Sequence, residues 1–188
     1  MRKPEDVTFS VPRFLSFIDL AYLFEAAKVA DEHFASKVTA AKDRNAIGNI
    51  NATRQSLLRA VFIASYAILE QNLDELMNME QERNKVSLSP ADLKDRGIIR
   101  SLTYAKKVLN KNIDTSLAQW KELFLLQEVR NHLVHYGPTF SDASEHSRRF
   151  DKITNSEYVT LRPEICFTLH QMERIFDLYI ECVDNFSK

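Results

Sequence analysis

The chain has 188 residues, 45% hydrophobic and 27% charged, with 25 basic against 26 acidic side chains and a net charge of −1. This size and balance fit one soluble domain with its own core, and exclude a global basic field that would draw in nucleic acid, so any RNA or DNA binding needs a local patch. With only 3 Gly and 5 Pro, a turn-rich β fold is excluded in favour of long uninterrupted helices.

Residues 1–12 read as a polar arm with two prolines. From about Arg13 to Lys42, Phe17, Leu20, Phe24, Ala27, Phe34, Val38 and Ala41 recur at helical spacing. A polar bridge over Asp43–Asn51 follows, with Gly48 as a break. The strongest segment is Ala52–Gln81, where Leu58, Phe62, Tyr66, Leu69, Leu73 and Leu76 form one stripe. Ser89-Pro90-Ala91-Asp92 has the form of an N-cap with proline at the first helical position. It opens a third helical region to about Asn110, interrupted at Gly97 and carrying Ile98, Leu102, Ala105 and Leu109. Asp114, Thr115 or Ser116 caps a fourth helix that carries Leu117, Trp120, Phe124 and Leu126 and should end near Gly137-Pro138.

Residues 139–157 are polar and mixed in charge, and are expected to form a mobile loop. Tyr158–Leu161 suits a short strand or hairpin arm, and Arg162-Pro163-Glu164 is expected to open the last helix. There Ile165, Leu169, Met172, Phe176, Tyr179, Val183 and Phe186 recur every four or three residues, a heptad-like seam read as bundle core. The expected fold class is therefore all-α: a single-domain bundle of about five helices, with a short β-hairpin arm before the last.

Cys166 and Cys182 both fall on that predicted last helix. Sixteen residues separate them by about 24 Å, beyond disulfide reach. Two thiols without metal-type spacing, an N-terminus with no apolar signal region and no run of membrane-span length lead to the expectation of a cytoplasmic protein with no membrane association. His33, His146 and His170 have no partners at metal-ligand spacing, so neither metal nor cofactor is expected.

Chemistry concentrates in Glu128-Val129-Arg130-Asn131-His132-Leu133-Val134-His135-Tyr136-Gly137-Pro138. Metal-independent RNA cleavage needs a base for the 2′-hydroxyl proton, an acid for the leaving 5′-oxygen and positive charge on the transition state. Histidine titrates near neutrality and suits the proton transfers, while the planar fork of arginine grips phosphate oxygens. Arg130 and His135 supply both groups, but five positions on a straight helix turn them about 140° apart. They converge only if the helix ends there, or else act across two chains. His132 faces another part of the turn and is expected to be a supporting or surface residue. Glu70 is placed to orient Arg130 across the bundle. Lys106-Lys107 and Arg148-Arg149 are candidates for a local basic patch.

Arg130-Asn131-His132-Leu133-Val134-His135 resembles the signature of the HEPN superfamily, in which an arginine, often followed by a polar residue, precedes a histidine by four to six residues. The run-in from Trp120-Lys121-Glu122-Leu123 and the earlier helix Ala64-Ser65-Tyr66-Ala67-Ile68-Leu69-Glu70 are also similar to that family, and the resemblance covers roughly residues 50–187. It implies a helical bundle that dimerises and places two motif copies in one cleft. It also implies a metal-independent endoribonuclease of a toxin–antitoxin, phage-defence or RNA-processing system, with RNA as substrate and an antitoxin or regulatory protein as partner. Carried over, Arg130 holds the scissile phosphate, His135 is the acid/base, and Asn131 orients or hydrogen-bonds. Tyr136 directly follows His135, and Gly137 stands where one subclass has a tyrosine that a partner nucleotidyltransferase modifies. That modification is therefore not carried over. The alternative reading is a non-catalytic HEPN module for RNA or nucleotide binding, or for assembly.

Overall fold

Apolar stripes at helical spacing are shielded from water when they pack against one another, and this chain buries its stripes in an all-α bundle. The computed structural model describes residues 11–140 and 151–186. Helices α1 (Val11–Ala40) and α2 (Arg44–Asn84) are joined by three residues and form a helical hairpin. Across the hairpin, Asp31 of α1 and Arg54 of α2 clasp each other in a bidentate ion pair, with Arg54 Nη2 donating to Asp31 Oδ2 at 2.6 Å. At 41 residues, α2 is roughly 60 Å long. It outruns α1, and its far half carries the 3-10 turn Pro90–Asp92 and α3 (Gly97–Lys107). Helix α4 (Ala118–Tyr136) and the last helix, α5 (Leu169–Phe186), pack against α2 and against each other.

The core is built from Leu58, Phe62, Tyr66, Leu69 and Leu73 of α2, Trp120, Leu123, Leu126 and Val129 of α4, and Met172, Phe176 and Tyr179 of α5, all buried. Each such side chain contributes about 1.5–3 kcal/mol on removal from water. Tyr66 meets Tyr179 edge to face at 6.1 Å, tying α2 to α5.

Several boundaries differ from the sequence expectation. Helix α1 already includes residues 11 and 12, whereas residues 1–10 and the side chain of Phe17 lie outside the described part. The expected bridge shrinks to residues 41–43, because Asp43 caps α2 by accepting from the Ala46 amide at 3.1 Å. Gly48 sits inside α2 without breaking it. A single interior glycine costs only about 1 kcal/mol in a helix otherwise supported by packing. The Ser89 capping box closes the 3-10 turn rather than α3, which starts afresh at Gly97. Asp114 accepts from the Ser116 amide in a local turn, and α4 starts from Leu117 without a side-chain cap.

The largest correction concerns the approach to α5. Strands β1 (Thr160–Leu161) and β2 (Ile165–Cys166) pair antiparallel, with Thr160 opposite Cys166 and Leu161 opposite Ile165. Ile165 and Cys166 therefore belong to the hairpin, and the two cysteines do not share a helix. Helix α5 begins at Leu169, where Thr168 and Gln171 exchange side-chain-to-backbone hydrogen bonds in the reciprocal manner of a capping box. The described ends of the expected loop carry regular structure: Thr139 bridges to Glu164, residues 151–154 form a helical turn, and Ile153 is buried. Residues 141–150, including His146 and Arg148-Arg149, lie outside the described part.

Candidate functional site

On α4, Val129, His132 and Leu133 are buried, Arg130 is half-buried, and Asn131, Val134, His135 and Tyr136 are exposed. The helix runs unbroken to Tyr136 and ends only at Gly137, whose φ of 84° is one that glycine adopts readily. Arg130 and His135 therefore sit on different sides of one continuous helix, about 140° apart. The convergence at a helix end that their spacing allowed does not occur within the chain.

Arg130 points toward α2. Its Nη2 stands 3.6 Å from Glu70 Oε2, and its Nη1 donates to the Asn131 side-chain oxygen at 2.9 Å. With 28% and 22% of their side-chain surfaces exposed, Arg130 and Glu70 form a partly desolvated pair. Burial pushes the Glu70 carboxyl above the usual carboxylate range, while the Arg130 guanidinium opposes that shift and nearby Asp74 adds to it. One turn further along α2, Asp74 accepts from Arg100 Nε at 3.3 Å and from the Ser101 hydroxyl at 2.9 Å. The sequence reading missed this second acid–arginine tie. The i, i+4 spacing of Glu70 and Asp74 on one helix face was the available signal.

His132 is neither an exposed residue nor one placed beside Arg130. It is 1% exposed, its ring stacks on Phe140 with centroids 4.0 Å apart, and its Nε2 lies 3.1 Å from the Thr139 carbonyl. A carbonyl oxygen only accepts, so Nε2 carries a proton and donates it to that bond. The continuing strap is tight: the Ile165 amide donates to the Pro138 carbonyl at 2.8 Å, and Arg59 of α2 holds Glu164 at 2.9 Å. The exit of α4 is thus sewn through His132 and the hairpin to α2. Tyr136 tilts against His132 at 5.5 Å and keeps 65% of its surface exposed. His135 makes an edge-on ring contact with Tyr136 and projects outward.

A groove of about 490 Å³ runs along the outer face of α4 between Lys121, Phe124, Glu128 and Lys152. By helical spacing, that face continues from Glu128 through Asn131 to His135. Among the described residues, its two lysines are balanced by Glu122 and Glu128. Lys106 and Lys107 border a smaller depression of about 320 Å³ with Ile99, Leu102 and Phe124.

Among the described residues, no group of three or more His, Cys, Asp or Glu is arranged to hold a metal ion. No helix among them is long and apolar enough to cross a membrane. Burial pushes the Cys182 thiol up to about 12 and raises that of Cys166 as well, so neither is an activated nucleophile. No family model, no curated protein and no solved structure matches the chain.

Proposed function

We propose that the protein is a metal-independent endoribonuclease of HEPN type that works as a homodimer. The observation that carries this reading is the division of α4: an arginine held by a carboxylate and an amide on one side, and an unburied histidine five residues on at the helix end. A phosphodiester that touches both needs a second copy of the chain. Val134 (47% exposed) and Tyr136 flank His135 and offer apolar surface for that copy to cover.

In the composite cleft Arg130 and Asn131 hold the scissile phosphate. His135 takes the 2′-hydroxyl proton as O2′ attacks phosphorus, and His135 of the partner subunit protonates the 5′-oxygen as its bond to phosphorus breaks. The products are a 2′,3′-cyclic phosphate and a 5′-hydroxyl end. Purified protein should cut single-stranded RNA in EDTA and leave cyclic phosphate ends, and Arg130→Ala or His135→Ala should abolish this. Equal cleavage by both variants would refute the assignment. A role as a toxin or defence nuclease restrained by an antitoxin or regulatory protein predicts that expression arrests growth for the native chain and not for His135→Ala.

The net charge of −1 favours a second reading, a non-catalytic module for RNA or nucleotide binding or for assembly. It predicts RNA binding without cleavage, weakening steeply with salt where phosphates are contacted.

A further inference from the structure

The two oxygens of one carboxylate serve two different elements. Glu70 Oε2 faces Arg130 of α4. Glu70 Oε1 lies so close to Gly97 that a Cβ at that position would stand 2.3 Å from it. Gly97 is the first residue of α3, and the preceding Arg96 provides no side-chain cap. The first amide groups of a helix lack intrahelical partners and carry partial positive charge. The Glu70 carboxylate therefore packs against the start of α3 from another helix. Asp74 fixes the register of α3 against α2 one turn further on, through Arg100 and Ser101.

We propose that Gly97 and Glu70 are positioning residues for Arg130: the missing side chain at 97 lets the Glu70 carboxylate seat between the start of α3 and the guanidinium, and so sets where Arg130 points. The functional consequence rests on the reading of Arg130 as the phosphate ligand; the geometry does not. A methyl group at 97 meets the far end of the Glu70 side chain before anything else, so the carboxylate is displaced and the arginine follows. A misplacement of about 1 Å at a reacting centre lowers rates by about a hundredfold, and Gly97→Ala should lower kcat/KM for RNA on that scale.

The readout independent of cleavage is the Arg130 Nε–H resonance in a 15N correlation spectrum, assigned by its loss in Arg130→Lys. This Nε is buried, and burial slows exchange of its proton with water. Gly97→Ala should shift the resonance in the native background and leave it unmoved in a Glu70→Ala background. An equal shift in both backgrounds would mean that the φ of 55° at Gly97 acts through backbone strain alone, and would overturn the proposal. Should Gly97→Ala not fold, Glu70→Ala alone decides: it must shift the Arg130 Nε–H and the Ile98 and Ile99 amide resonances together, and a shift of only one group overturns the shared carboxylate. A native protein that cuts no RNA would refute the endoribonuclease reading and leave this test of positioning intact.

Discussion

Replacing His132 separates a structural histidine from a chemical one. Its ring is 1% exposed and stacked on Phe140, and its Nε2–H is committed to the Thr139 carbonyl. His132→Ala removes a buried ring, its stack on Phe140 and the bond to the Thr139 carbonyl at once. Ring deletions in buried sites cost about 3–5 kcal/mol, and part of the loss here is offset because Thr139 is exposed and its carbonyl can turn to water, so about 3 kcal/mol is expected. In a chain of this length that lowers the melting temperature by on the order of 10 °C. His132→Phe keeps the ring and its stack and loses the donor to Thr139, a cost of about 1 kcal/mol. The assay is urea denaturation, read as a shift in midpoint at constant slope, alongside RNA cleavage at a temperature where both variants are folded. His132→Phe should cleave at the native rate. If it folds and fails to cleave, His132 belongs to the chemistry and the strap contact described above is the wrong account of it.

His135 is exposed, so His135→Ala should change stability by less than about 0.5 kcal/mol while abolishing cleavage, measured on the same preparation. Arg130→Ala should abolish cleavage too, but it leaves Glu70 half-buried and unpaired by Arg130, and should cost about 1–2 kcal/mol in denaturation. The raised pKa of Glu70 has a defined sign: the folded chain holds this proton to higher pH than the unfolded chain does, so its stabilising contribution is complete below the unfolded value and is lost as pH rises through the folded value. Glu70→Gln should remove that slope from a stability–pH curve just above the usual carboxylate range; an unchanged slope would show that Glu70 does not titrate as described. Asp31→Ala leaves Arg54 unpaired by Asp31, and since 32% of the Arg54 side chain is exposed the loss should be about 2 kcal/mol, below the about 3–5 for a fully buried pair. No change in denaturation midpoint would make the α1–α2 clasp energetically idle.

The stripe Leu58–Phe62–Tyr66–Leu69–Leu73 was legible because only a helix puts those positions on one face, and all five are buried. The start of α5 was misread for a related reason: Ile165 stands four residues before Leu169 and fits the helical seam as well as it fits a strand. The decisive signal was Thr168-Leu169-His170-Gln171, a capping box that places the helix start beyond the hairpin. Spacing alone could not settle the cluster on α4, because what separates Arg130, His132 and His135 is which neighbours each meets. Those neighbours are Glu70, Thr139 with Phe140, and solvent respectively, and the first three come from distant turns or a strap that carries no helical periodicity. Gly97 looked like a helix interruption and is one, but its contact with Glu70 depends on a juxtaposition across 27 residues.

The hairpin between α4 and α5 also gives the chain an internal chemical reporter. Cys166 lies in β2, half-buried beside the Arg59–Glu164 pair that fastens the hairpin to α2, whereas Cys182 is buried in the core. A thiol-specific reagent should therefore modify Cys166 slowly and Cys182 only on global unfolding. The rate at Cys166 then measures how often the strap lifts from α2. Because the same strap holds the exit of α4, that rate can be followed with and without RNA to register events at His135 without altering a single residue.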